Sequence, residues 1–342
     1  LPLLGRRIRW QARPEDAGFA PIYKNVPYLP KIGSRWNHRL MARSLAATVA
    51  DLRRDFAFDV VLCSWLYPDG CALAALAERF GFPLVLIAQG TDVHQYLENP
   101  VRRRAILEAA RQSHTVITRS RDLANRLSAA GVCTEKLFPV YNGIDRACFR
   151  TGDRDAARKR LGLPLDAKVI LYVGNFLPIK NPVLLVRAVS QLPARLDASP
   201  VCLAMVGDGP LLPQIRVTAA AAGLTDRLFL PGRLLPAEVA AYMQAADLLC
   251  VPSDNEGVPN VILEAFASGL PVVATDVGGI SEVLSQPALG ELVERRNAQA
   301  LAAALVRRLK SDASREQIAR HALQFDWGHT ARAYLDILLD AV

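Results

Sequence analysis

From residue 58 onward, short apolar runs rich in β-branched residues alternate with amphipathic stretches of helical length. Residues 59–65 and 83–88 read as buried strands, with an Ala- and Leu-rich helix over 69–80 between them. The alternation continues as helix 101–112, strand 114–119, helix 121–130 and strand 137–141. Residues 143–165 break the rhythm with Gly152, Gly162, Pro164 and a dense mix of charges, and read as a connection carrying one short helix. A second series then places strands at 169–173, 202–206, 228–230, 248–251 and 272–275. Its helices fall at 182–192, 210–222, 236–244, 259–268 and 298–310, and a final amphipathic helix over 325–339 carries Trp327. Strands separated by helices build parallel sheets. The pattern therefore predicts an α/β protein with two doubly wound, Rossmann-like units, whose ligands sit beyond the carboxyl ends of the strands. A cleft between the units is the expected site.

The expected division is 1–150, 151–325, and a C-terminal helix over 326–342 that can pack on either unit, including a return to the first. A chain of 342 residues fits this division, because single cores stop growing near 250–300 residues. The first forty residues show no clear strand and helix pair, so the N-terminal unit reads as truncated, with an opening βα unit expected upstream of Leu1.

With 51% apolar and 22% charged residues the composition is that of ordinary globular domains, and no apolar run reaches the length of a membrane-spanning helix. The net charge of +8 is unevenly placed. Residues 1–150 hold 22 Lys and Arg against 13 Asp and Glu, whereas residues 151–342 hold 19 against 20. On charge alone the basic half fits an anionic surface or substrate and a solvated basic face equally well. Nucleic acid is the weakest such partner, because the basic half has no aromatic-interleaved stripe. The six cysteines are widely spaced without a CxxC pair and read as reduced core residues, which predicts a cytoplasmic protein.

The candidate chemistry concentrates in Pro252-Ser-Asp-Asn-Glu-Gly-Val-Pro-Asn-Val-Ile-Leu-Glu-Ala-Phe-Ala-Ser-Gly269, which leaves a buried strand and enters a helix. Glu256 lies in the loop and Glu264 in the helix, eight residues apart. Pro259 suits a first helical turn, and the free N–H groups of Asn260 and Val261 at the positive end of the helix dipole suit a phosphate. As a bare spacing, two glutamates around a capped helix describe a solvated surface better than they describe a site. The loop Val173-Gly-Asn-Phe-Leu-Pro-Ile-Lys180 brings a lysine to the carboxyl end of the second unit's first strand. Val206-Gly-Asp-Gly-Pro210 and Pro271-Val-Val-Ala-Thr-Asp-Val-Gly-Gly279 end two further strands in glycines, read as turns or as close approaches of the backbone to a ligand.

Together with Ala246-Asp247, these pieces resemble the nucleotide-sugar domain of the retaining glycosyltransferases of family 4 (glycosyl transferases group 1 type), which have the GT-B fold of two facing Rossmann-like domains. Ser64-Trp-Leu-Tyr-Pro-Asp-Gly70, Gln89-Gly-Thr-Asp92 and Tyr141-Asn-Gly-Ile-Asp145 extend the likeness over roughly residues 59–340. The resemblance implies a UDP- or GDP-sugar donor and no metal or cofactor. It implies that Glu256 contacts the donor sugar, Glu264 the ribose and Lys180 the diphosphate, with Gly257, Val258, Pro259, Asn260 and Val261 around the phosphates and Leu234 near the base. The chain departs from the family pattern at Asn175, where an arginine is usual, and at Gln89, where a histidine is common. Asp92 remains as the nearby acid to orient the acceptor or act as base, and His94 reads as a surface residue.

The implied reaction moves a sugar to a cell-envelope, exopolysaccharide or lipid-linked glycan acceptor. The basic N-terminal unit would touch an anionic membrane on its inner face, through Arg102-Arg-Arg104 and the run 35–43. Two alternatives stay open: a non-catalytic sugar-nucleotide-binding paralogue that partners another transferase, and a GT-B nucleotide-sugar epimerase. Asp153-Arg-Asp155 has the form of a metal-binding DxD but lies in the connection, and reads as a solvated helix.

Overall fold

The computed structural model describes residues 21–30 and 32–342, so the reading of residues 1–20 lies outside the described residues. The first unit runs α1 (Asn37–Phe56), β1 (Val61–Ser64), α2 (Cys71–Phe80), β2 (Leu84–Ala88), α3 (Thr91–His94), α4 (Pro100–Gln112), β3 (Thr115–Thr118), α5 (Arg121–Ala130) and β4 (Leu137–Pro139). Its four strands are parallel in the order β1-β2-β3-β4. The apolar runs become strands because both faces are covered: every residue of β2 and β3 is buried. Helix α5 begins where Ser120 Oγ accepts the Leu123 N–H and ends at Gly131 in the left-handed region.

The second unit runs α6 (Arg154–Leu161), β5 (Lys168–Val173), α7 (Pro182–Val189), β6 (Arg195–Leu196), β7 (Ser199–Val206), α8 (Leu212–Ala221), β8 (Leu228–Gly232), α9 (Pro236–Ala245) and β9 (Leu248–Val251). It continues through α10 (Asn260–Ala267), β10 (Val272–Thr275), α11 (Ile280–Val283), β11 (Gly290–Val293), α12 (Ala298–Leu309) and α13 (Arg315–His321). The sheet order is β11-β10-β9-β5-β7-β6, with β8 also on β7, and only β6 is antiparallel. The chain moves from β5 outward to β7 and β8, then returns to the other side of β5 with β9. A switch point lies between β5 and β9, and the loops that leave these two strands diverge there to open a crevice.

Helix α14 (Trp327–Asp340) returns to the first unit. Its Ala333, Tyr334, Ile337 and Leu338 pack with Val85, Ile87, Ile117 and Val140 from the first sheet. Asp326, which caps α14, pairs with Ile144 in the connection, and His114 Nε2 lies 3.1 Å from Asp340 Oδ2. The C-terminal helix thus straps the two units together.

The sequence reading passed over α1, whose mix of Ala and Arg carries a weak apolar stripe, and over β6, β11, α11 and α13, which are short. Of the six cysteines expected in the core, Cys63, Cys71, Cys202 and Cys250 are buried, whereas Cys148 is half-buried and Cys133 is exposed on the loop after α5. Among the described residues, no helix is long and apolar enough to cross a membrane.

Candidate active site

At the switch point, the loop after β9 carries Glu256 and the loop after β5 carries Lys180. The Lys180 ammonium donates to both carboxylate oxygens of Glu256 at 2.7 Å, and Ser253 Oγ donates to Glu256 Oε1 at 2.7 Å. The Glu256 side chain is only 9% exposed, so this pair sits in a partly dry site where its charges interact strongly. Two features hold the loops. Tyr172 at the end of β5 donates to the Asn175 carbonyl at 3.0 Å. Gly278, at φ 55°, lies so close that a Cβ there would collide with the Glu256 carbonyl, and Gly279 donates its N–H to the Gly257 carbonyl at 3.0 Å. The Gly pair after β10 is therefore a buttress for the Glu256 loop.

The first unit faces this crevice with the loop after β2. Gln89 Nε2 donates to Ser64 Oγ at 2.7 Å, which fixes the amide at the carboxyl ends of β1 and β2. Asp92 does not meet the crevice, contrary to the expectation that it orients the acceptor or acts as base. It is fully buried, and its carboxylate accepts the backbone N–H groups of Leu66 (2.9 Å), Gln89 (3.0 Å) and Gly90 (2.8 Å). Burial raises its pKa and these backbone donors oppose the rise. Asp92 ties the loops after β1 and β2 together and so positions Gln89. His94 is also not a surface residue: its side chain is 6% exposed, its Nε2 lies 3.8 Å from Asp122, and burial lowers its pKa.

A cavity of about 320 Å³ joins the two units at this point. Gln89, Arg119 and Asn142 line one side; Lys180, Glu256, and the segment Gly257, Val258, Pro259, Asn260 and Val261 line the other. The remaining candidates lie outside its lining. Asn175 is exposed, and Leu234 is half-buried against the core beneath the crevice. Glu264 is half-buried on α10, and no hydrogen bond reaches its carboxylate among the described residues. Burial pushes its pKa up to about 7. A carboxyl whose pKa is higher folded than unfolded favours folding while protonated, and that contribution disappears as pH rises from the ordinary carboxylate range through about 7. Glu264→Gln should therefore stabilise the protein at pH 8 by about 1–3 kcal/mol and leave it unchanged near pH 4, read from urea midpoints at the two pH values.

Sequence reading missed the groups that join the units. Glu282, on α11, accepts the N–H groups of Arg121 and Asp122 at 2.8 Å each, capping α5 of the first unit, and it also accepts the Tyr141 hydroxyl at 2.7 Å. Asn142 Nδ2 donates to Asn260 Oδ1 at 2.7 Å. These partners lie more than a hundred residues apart in sequence, so no local spacing marks them. Only the position of Glu282 just after the glycine pair could have drawn attention to it.

Comparison with known proteins matches residues 153–325 to the family profile described as glycosyl transferases group 1 and residues 9–147 to the profile described as glycosyltransferase family 4. The chain belongs to glycosyltransferase family 4. Within this retaining family it is 30% identical, over 96% of its length and 81% of the relative's, to TuaC of Bacillus subtilis, named as a teichuronic acid biosynthesis glycosyltransferase. It is 35% identical to a D-inositol 3-phosphate glycosyltransferase of Nocardioides over 80% of this chain and 65% of that one, so it spans just under two thirds of that relative. Among solved structures, HepE of Anabaena in complex with UDP superposes with a TM-score of 0.77 at 22% identity, covering 86% of this chain and 82% of that one. Sucrose-phosphate synthase of Thermosynechococcus elongatus does so with 0.76 at 23% identity, covering 91% and 79%. These superpositions establish the GT-B fold.

Two of the motifs that resemble family 4 turn out to be structural here. Gly207, at φ 144°, sits where a Cβ would collide with the Gly174 carbonyl, so Gly-Asp-Gly-Pro lets two loop backbones meet. Ala246-Asp247 lies at the opposite end of the sheet from the crevice. There Asp247 pairs with the fully buried Arg158 at 2.7 Å and accepts the Val169 N–H at 2.6 Å. Asp153 caps α6 by accepting from Asp155 and Ala156, which is a helix-starting role.

Proposed function

We propose that this chain is a retaining glycosyltransferase that moves a sugar from a UDP- or GDP-sugar to a cell-envelope, exopolysaccharide or lipid-linked glycan acceptor. The observation that carries the reading is the Lys180–Glu256 pair, set at the switch point and faced across one cavity by Gln89. Residues 151–325 hold the donor and residues 1–150 the acceptor. The diphosphate lies against Lys180 and the backbone of residues 257–261, the ribose hydroxyls reach Glu264, the base lies towards Leu234, and the donor sugar meets Glu256 and Gln89. The anomeric C–O bond to the diphosphate breaks as an acceptor hydroxyl forms its bond on the same face, and the hydroxyl proton passes to the departing phosphate oxygen. Lys180 stabilises the charge that develops on the leaving group.

The names of relatives support the class of acceptor: teichuronic acid biosynthesis for TuaC, and lipopolysaccharide outer core for the galactosyltransferase WaaB, which shares the fold with a TM-score of 0.70. UDP and UDP-glucose in the HepE complexes support the class of donor. An anionic membrane on the cytoplasmic side fits the basic face of the first unit. Arg35, Arg39 and Arg43 recur every four residues, all exposed, beside Trp36. Arg102 does not belong to that face: its guanidinium stacks on Tyr96 at 4.5 Å and Tyr67 at 5.4 Å, whereas Arg103 and Arg104 are exposed.

A screen of UDP- and GDP-sugars by thermal shift tests the donor, since a ligand bound only by the folded state raises its apparent stability. Release of nucleoside diphosphate in the presence of an acceptor glycan tests transfer. The reading requires one donor class to shift the transition and Glu256→Ala to abolish release while nucleotide binding survives. Shift without release across acceptors would favour a sugar-nucleotide-binding paralogue.

A further inference from the structure

Arg119 follows β3 directly and reaches the cavity from the first unit. Among the described residues, Arg119 and Lys180 are the cations of the cavity lining, and Lys180 is already matched by both oxygens of Glu256. Arg119 is in a different state. It enters no ion pair among the described residues, and its Nε is buried without a hydrogen-bond partner. Its guanidinium is aimed by α14, lying 5.6 Å from the centre of the Tyr334 ring. Arg119 lines the cavity, and a guanidinium with no carboxylate partner is free to take an anion there. Two cations and one carboxylate leave the cavity with a single free positive charge, and that charge is on Arg119. A nucleoside diphosphate brings more than one negative charge to the same space, and a guanidinium fork fits phosphate oxygens.

We infer that Arg119 binds the diphosphate of the donor, supplying from the first unit a second cation beside Lys180. This rests on the donor reading above. Donor binding then draws on both units and on α14, through Tyr334.

Calorimetric titration of the full chain with UDP and GDP, and with uridine and guanosine as probes lacking phosphate, tests the inference. Arg119→Gln keeps the side-chain stem on Tyr334 and removes the charge. It should weaken nucleoside diphosphate binding by about ten- to a hundredfold, leave nucleoside binding unchanged and flatten the salt dependence of binding. Arg119→Lys should retain part of the affinity. Diphosphate affinity equal to wild type in Arg119→Gln would overturn the inference, as would equal losses for nucleoside and nucleoside diphosphate. Wild-type protein that binds neither UDP nor GDP would overturn the donor reading itself.

Discussion

Lys180→Ala is expected to lower kcat/KM for the sugar donor by about a hundred- to a thousandfold, the cost of removing one preorganised group that stabilises a developing anion. The loss should appear in nucleoside diphosphate affinity as well as in turnover, because Lys180 lies on the cavity wall where the proposed reading puts the diphosphate. Glu256→Gln should behave differently. It keeps the side-chain shape and its Ser253 contact, so nucleotide affinity should hold while turnover falls. Steady-state rates and UDP or GDP titrations on the two variants separate these effects. Equal losses of affinity in both would mean that the pair acts as one structural unit rather than as two groups facing different parts of the donor.

The second large effect is on folding. Asp247→Ala should destabilise the second unit by about 3–5 kcal/mol, the usual result of stranding one partner of a buried ion pair. Arg158 is fully buried. Its other N–H groups are taken by the carbonyls of Ala245 (2.9 Å), Leu165 (2.8 Å) and Ala167 (2.8 Å), which leaves Asp247 as the group that balances its charge. Arg154 Nη1, 3.2 Å from the other Asp247 oxygen, adds to the cluster. Urea unfolding should show the loss in Asp247→Ala, and Arg158→Met combined with Asp247→Leu should recover most of it, since a buried pair can be replaced by packed apolar groups. A double variant as unstable as the single one would assign the effect to the hydrogen bond from Val169 instead.

Which parts were legible in sequence follows from how locally each is encoded. β2, β9 and β10 are short apolar runs between turn residues because both of their faces are covered, and the runs show in the sequence. The Glu256–Glu264 segment was legible because a loop, a proline and a helix stand in unbroken order. Asp92 and His94 were misplaced because their burial depends on a four-residue helix that turns both inward beneath the crevice. Arg119 left no local sign, and Glu282 only its place just after the glycine pair. One is defined by the helix α14 that returns from the far end of the chain, the other by α5 of the opposite unit. The contacts that make two sheets into one site are thus the least visible part of the sequence.

The cavity between Gln89 and the Lys180–Glu256 pair is the proposed donor site. A crystal structure of the full chain with UDP or GDP tests it directly. The diphosphate should lie between Lys180, Arg119 and the backbone of residues 257–261, with Glu264 on the ribose and Lys180 turned from Glu256 towards phosphate oxygen. Nucleotide bound elsewhere, such as against Arg103 and Arg104 on the outer face of α4, with the Lys180–Glu256 pair intact, would contradict it.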